Sequence, residues 1–437
     1  MSVDEFLKRP APHRFDEAIL HIGAEKTGTT SIQVTLHRNR DRLAAQGFLH
    51  SLALGQVRHI DLPVFCEADD TMDDLRRGLL DGDIKALPRF RERLIKRFDD
   101  EIAQSEVRTL IVSNEHLQSR LVTDEEKENL LKFARRCADK VRVIVYLRRQ
   151  DEMAVSLHST RFKSGEWGFD EMFPEGTSYY YQFDELLKGY VRVFGRDAVT
   201  VRIFEPDSLV DGDAVADFLA LCGVAKTEGW ITVGRGNESL RPEAQYFFSI
   251  MNKINARFVD GRPARSRVDY GNLYALYAGK GYRPSRARAE EFYYRYHEGN
   301  QWVCREFFPE RQSLFSLDFS KYPEENDPLP DIEKVMEVAY DWAKYHFAQS
   351  RWAQAQLSVQ KKDYPKALEA LRDVQNCQPQ GADAFVLSAR ILAQLGNLDQ
   401  AIAHARRAKE IEPERKDVIA LMGQLEESLK SDGTDAT

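Results

Sequence analysis

Four short apolar runs, each opening into a polar tip and then a helical pattern, constrain this chain more than any other feature. They are AILHI at 18–22, RTLIVSNEH at 108–116, KVRVIVYLRRQ at 140–150 and DAVTVRIFEP at 197–206. Their apolar centres are continuous, so both faces of each strand need cover, as in a parallel sheet lying between helical layers. Helical spacing fills the intervals. Thr30 to Ala45 places Ile32, Leu36 and Leu43 on one face with Gly47 as a stop. Residues 61–105 are helical and charge-rich, DEMAVSLHSTRFKSG runs as a helix to Gly165, and DAVADFLALCGV ends on a glycine. Strands alternating with helices predict an α/β unit whose parallel sheet is covered by helices and whose ligands bind outside the carboxyl ends of the strands. The tips after the first three runs are where chemistry is expected.

Length and charge narrow the classes further. At 437 residues the chain exceeds one ordinary domain. The 62 basic and 70 acidic residues leave a net charge of −8, which argues against a nucleic-acid partner or a basic membrane footprint. Five widely spaced cysteines, with no CxxC or Cys/His pattern, predict neither a disulfide framework nor a zinc site. The start, MSVDEFLKRPAPHRFDE, has no apolar core, and no 18-residue apolar run follows, so no integral membrane segment and a cytoplasmic location are expected.

Beyond about residue 330 the character changes. ENDPLPD (325–331) reads as a linker, strands stop, and the chain repeats itself: Tyr364, Ala367, Leu368 and Pro379 recur as Leu398, Ala401, Ile402 and Pro413. Each pair is 34 residues apart, with small residues where two helices cross and a proline at the end. This tail resembles the tetratricopeptide repeat, with a degenerate first repeat in which Arg351 stands where a large apolar residue is usual. The expected division is 1–330 and 331–437, the second part an all-α domain that either presents a surface to a protein partner or acceptor, or buttresses the first part.

The first tip, HIGAEKTGTTSIQ (21–33), places Lys26 and two glycines among four hydroxyl residues. A turn feeding a helix exposes unpaired N–H groups and the positive end of the helix dipole, a setting for phosphate-like anions. A nucleoside-triphosphate loop needs its lysine after the second glycine, and here Lys26 precedes Gly28. KTGTTS instead resembles the 5′-phosphosulfate loop of bacterial sulfotransferases that use 3′-phosphoadenosine 5′-phosphosulfate. In YLRRQDEMAVS, Arg148 and Ser156 stand eight residues apart, the spacing of that family's 3′-phosphate motif; Arg149 has the chemistry but not the spacing.

The resemblance covers roughly 15–320. It implies a P-loop-like sulfotransferase fold, with the donor held by Lys26, Thr27, Gly28, Thr29, Thr30, Ser31, Arg148 and Ser156. It also implies sulfuryl transfer to a hydroxyl of a carbohydrate or glycolipid acceptor, with no metal. Lys26 would offset charge on the transferring group and Glu115, in SNEH, would take the acceptor's proton, with His116 the alternative base. Glu25 is a departure, because a carboxylate beside a phosphate pocket is repulsive unless it points away. YYYQFDELLKGYVRVFGRDAVTVRIFEP and NESLRPEAQ resemble the same branch as scaffold. From Arg257 to Tyr296 basic groups interleave with seven tyrosines, an arrangement able to hold sugars and anions. Arg286, Arg288 and Arg305 are candidates for the remaining 3′-phosphate contacts. Two rival readings stay open: a P-loop kinase using a nucleoside triphosphate, and a repeat scaffold with a vestigial nucleotide pocket.

Overall fold

The computed structural model describes residues 3–169, 171–232, 239–264, 267–268, 270–271 and 273–434. These fall into two compact units, 1–268 with 278–329, and 269–277 with 330–437. Segment 269–277 thus groups with the helical tail, although its neighbours on both sides in sequence lie in the first unit.

The first unit is built on a five-stranded parallel sheet. Its strands are β1 (Phe15–His21), β2 (Phe48–His50), β3 (Thr109–Ser113), β4 (Ala138–Leu147) and β5 (Val199–Ile203), in the order β2-β3-β1-β4-β5. Four coincide with the apolar runs, and β2 is a fifth at the edge, paired with β3 through Phe48–Thr109 and His50–Ile111. Alternate residues of one strand enter different cores, which is why the runs are apolar throughout. Ala18, Leu20, Leu110, Val112, Val143 and Val145 face one layer with Leu94, Phe98 and Phe133. Ile19, Ile111, Ile144 and Tyr146 face the other with Ile32, Leu36 and Phe218. Burial at ~25 cal/mol per Å² of apolar surface makes these two layers the main source of the unit's stability.

Two helices of the second layer begin at the strand tips. The helix expected from Thr30 to Ala45 is broken into α1 (Thr29–Arg38) and α2 (Arg40–Ala44). The break is at Asn39, a buried side chain that donates to Thr35 O and Ile231 O and accepts from Ile231 N. Its backbone still bonds as in a helix, with N donating to Thr35 O and O accepting from Leu43 N, but turns to φ −108°, ψ 20°. Helix α3 (Gln150–Lys163) leaves β4, and α4 (Ala214–Cys222) follows β5, capped by Asp213 and stopped by Gly223 in the left-handed region.

The second unit is all-α: α5 (Ile332–Gln360), α6 (Tyr364–Cys377), α7 (Ala382–Gln394), α8 (Leu398–Ile411) and α9 (Lys416–Thr434). The 34-residue period is physical. Ala367 and Ala401 are fully buried at equivalent helix crossings, where only a small side chain lets the backbones approach. Arg351 pairs across the α5–α6 hairpin with Asp373 at 2.6 Å and Glu369 at 3.4 Å. Segment 269–277 is tied to α5 by the Tyr277 hydroxyl, which donates to Asp341 at 2.7 Å. At Gly271 a Cβ would lie 2.2 Å from the Tyr345 ring.

Candidate active site

Three strand tips and the loop after β5 meet around one cavity of about 490 Å³. It is lined by Glu25, Lys26, Gly28, Thr29, Thr30 and Ser31 from the first tip, Glu115 from the second, and Arg148, Ser156, Thr160 and Lys163 from β4 and α3. Phe204 and Pro206 close it from the β5 side.

The first loop is shaped by its backbone. After β1 the chain stays beside β4, with Ile22 N bonded to Ile144 O and Ala24 N to Tyr146 O, both at 3.0 Å. Gly23, at φ +62°, lets this loop touch the second tip: a Cβ there would lie 2.8 Å from Thr29 Cγ2 and 3.3 Å from Glu115 Cα. Lys26 itself adopts φ +67°, a conformation that costs a non-glycine residue on the order of 1 kcal/mol or more. Gly28 at φ +80° starts α1 without any side-chain cap, so the first N–H groups of α1 keep their bonding capacity. Thr27 departs from expectation. Its side chain is buried and donates to Ala24 O at 2.5 Å, so it pins the turn and does not line the cavity.

Lys26 Nζ donates to Thr160 Oγ1 at 2.9 Å. Burial, and then the charges of Arg148 and Lys163, bring its pKa down from the usual 10.5 to about 8, against the opposing pull of Glu25 and Glu115. An anion entering here would relieve that crowding of cations. Arg148 is anchored to the same loop, with Nη1 donating to Lys26 O at 2.9 Å and Nε to Glu152 at 3.3 Å, and it lies 5.6 Å from the Phe204 ring. Arg149 is not an alternative. It is buried, makes a two-pronged pair with Asp151 at 2.8 and 3.0 Å, and donates to Ser316 O and Asp318 O. That arginine holds the end of β4 to a later loop.

Glu115 accepts a 2.6 Å hydrogen bond from Gln33 Nε2, which also reaches Ser113 O. Gln33 thereby orients the carboxylate at the mouth of the second tip. The neighbouring His116 points elsewhere, to Glu25, at 3.6 Å. Burial disfavours charge on both, but their mutual attraction prevails, lowering the Glu25 carboxyl and raising the His116 imidazole. The unexpected carboxylate in the loop thus has an imidazole beside it that favours its charged form. His21, under the loop, bonds Ser113 Oγ at 2.8 Å and is kept neutral by burial, its pKa lowered to about 3.

Several expectations fall outside this cluster. Arg286 pairs with Glu324 at 2.8 Å, Arg288 lies against Phe173, and Arg305 is exposed; none lines the cavity. Arg58 and Lys163 do line it. The basic and aromatic stretch is no single platform either: Tyr293 and Tyr296 are core residues of the first unit, while Tyr270 and Tyr277 are buried in the second. Within that stretch Arg265 lies outside the described residues, as do Asn237 and Glu238 of NESLRPEAQ. Gln33, Thr160 and Lys163 were missed, since only tertiary contact brings them to the tips.

Among the described residues no group of three or more histidine, cysteine, aspartate or glutamate side chains could hold a metal ion, and no helix is long and apolar enough to cross a membrane. All five cysteines are free thiols.

Residues 358–425 match the family model of the tetratricopeptide repeat. No curated protein matches the chain. Among solved structures it is similar to a sulfotransferase from Alicyclobacillus acidocaldarius, at 16% identity over 60% of this chain and 95% of that one, with a TM-score of 0.31. It is also similar to the TPR2AB domain of yeast Sti1, solved as a pHSP90 complex, at 15% identity over 65% of this chain and 86% of that one, with a TM-score of 0.20. At these scores the two likenesses carry no weight for chemistry, which rests on the geometry of the cavity.

Proposed function

We propose that the first unit is a sulfotransferase that moves a sulfuryl group from 3′-phosphoadenosine 5′-phosphosulfate to a hydroxyl of a carbohydrate or glycolipid. The observation that carries this reading is the convergence of Lys26, the uncapped start of α1, Arg148 with Ser156, and Glu115 on one cavity. The cation and N–H set suits a nucleotide bearing phosphates at both ends. Arg148 and Ser156 would hold the 3′-phosphate by charge-assisted and hydroxyl bonds. Lys26 and the N–H groups of Thr29 to Ser31 would bind the 5′ end and offset the charge that grows on the leaving phosphate. Glu115, held by Gln33, would accept the acceptor hydroxyl's proton as oxygen attacks sulfur in line. His116, turned to Glu25 and biased to its charged form, is the poorer base. No step needs a metal.

The repeat match favours a protein partner for the tail, beside the catalytic role of the first unit. The test of the catalytic reading is transfer of labelled sulfate from the donor to glycan or glycolipid hydroxyls. Transfer should occur with the intact chain and be lost in Glu115→Gln. Transfer that persists in Glu115→Gln would remove this carboxylate from the mechanism.

A further inference from the structure

Helix α5 is twice as long as the helix it pairs with. Its 29 residues span about 43 Å, whereas the 14 residues of α6 span about 21 Å. Helix α6 therefore covers only the second half of α5, where Ala355 packs on Ala367, Ala370 and Leu371. In the first half, the side bearing Val335, Val338, Asp341 and Tyr345 is taken up by burial or by segment 269–277. The opposite side is bare and apolar. Ile332 is 64% exposed, Met336 60%, Tyr340 65% and Phe347 51%, with Ala343 and Ser350 exposed between and beyond them.

The spacing of this stripe is informative. Positions 336, 340, 343, 347 and 350 follow steps of four, three, four and three, the seam of a two-helix coiled coil. With Ile332 they fall within an arc of roughly 80° at about 100° per residue, so one partner helix can cover them all. A seam this narrow, ending in solvent, is shaped for a single helix.

Charge along the flank of the seam identifies that helix. Glu333 and Glu337 stand near its start and Lys344 near its end, all on the same edge. Neither Glu337 nor Lys344 has an ion-pair partner among the described residues, and Lys344 lies 5.5 Å from the Tyr340 ring. In an antiparallel pair the same edge of each helix faces its own copy. One register satisfies everything at once: Met336 against Phe347, Tyr340 against Ala343, Ile332 against Ser350, and Glu337 beside Lys344, each pair taken between copies. We infer that α5 pairs antiparallel with α5 of a second copy of this chain, along Ile332, Met336, Tyr340, Ala343 and Phe347. The contact is isologous, so it closes at two copies.

Light scattering on the full chain tests this over a micromolar concentration range. The expected mass is twice 50.3 kDa; a constant 50.3 kDa would overturn the proposal. Met336→Asp and Phe347→Asp change side chains that are more than half exposed, so circular dichroism should be unaltered while the dimer dissociates. A dimer indifferent to both would place the contact elsewhere and overturn the seam. Register is tested by charge exchange. Glu337→Lys and Lys344→Glu should each raise the dissociation constant by about tenfold, through like-charge contacts made twice per dimer. The double exchange should restore it to within about threefold, because it swaps the pair without removing it. Failure of the double exchange to rescue would refute the antiparallel register.

Discussion

Lys26 offers the sharpest consequence of the site, because its proton is held loosely. With a pKa near 8 it is roughly nine-tenths charged at about pH 7 and roughly one-tenth charged at about pH 9. A bound dianion beside Nζ would restore the charge and carry the pKa back toward its usual 10.5. The sign follows. Below about pH 8 the lysine is protonated before and after binding, and affinity is flat. Above that point binding must take up a proton, so affinity for 3′-phosphoadenosine 5′-phosphate should fall by up to about tenfold per pH unit until the bound-state pKa is reached. Calorimetric titrations at about pH 7, 8 and 9 measure this directly, and repeating them in buffers of different ionisation enthalpy counts the proton. Lys26→Met should bind more weakly at neutral pH and lose the slope. Lys163, also lowered by burial and also in the cavity, supplies the control: Lys163→Met should keep most of the slope. A flat wild-type profile up to about pH 9, or an unchanged slope in Lys26→Met, would show that this lysine does not meet the anion.

Other consequences follow from single contacts. Arg148→Ala should cost about 1.5–3 kcal/mol with a nucleotide carrying a 3′-phosphate and little with adenosine 5′-phosphate; equal losses in calorimetry would mean it holds only the loop. Glu115→Gln should bind the nucleotide normally while turnover drops by about 10²–10⁴, and a dead His116→Ala beside an active Glu115→Gln would move the base to histidine. Gly23→Ala puts a Cβ 2.8 Å from Thr29 and 3.3 Å from Glu115, at a φ that disfavours any side chain, and should lower both the melting midpoint and the turnover. Cutting the chain near Asp331 should leave a soluble first unit that still binds nucleotide if the tail serves a partner, and an insoluble one if the tail is a buttress.

Much of this was legible in the sequence because the physics involved is local. A strand buried on both faces must be a continuous apolar run, and four of five strands announced themselves so. Strand β2 did not, since three edge residues, two half-covered and one a buried histidine, leave no apolar pattern. The 34-residue period fixed the tail's helices because each turn and small crossing residue recurs. Motif spacing brought Lys26, Glu115, Arg148 and Ser156 together, but it could not tell which hydroxyls face the cavity. Thr27 turns inward to Ala24 O, whereas Thr160, unremarked in the sequence, meets Lys26. The long-range partners were invisible for the same reason: Gln33 meets Glu115 across 82 positions, and Tyr277 meets Asp341 across 64. Neither local composition nor periodicity encodes such a pairing.

On the proposed reading, the cavity takes an adenine nucleotide phosphorylated at the 3′ position. Thermal unfolding of the full chain with three ligands tests it most directly: 3′-phosphoadenosine 5′-phosphate, adenosine 5′-phosphate, and ATP with magnesium. At about 100 times its dissociation constant a ligand that binds only the folded state adds about 2.7 kcal/mol, a readily measured rise in the midpoint. The 3′-phosphorylated nucleotide should give a strong rise, adenosine 5′-phosphate a small one, and ATP with magnesium little. A larger rise with ATP and magnesium would contradict it and favour a kinase, and no rise with any of the three would mean the cavity binds no such nucleotide.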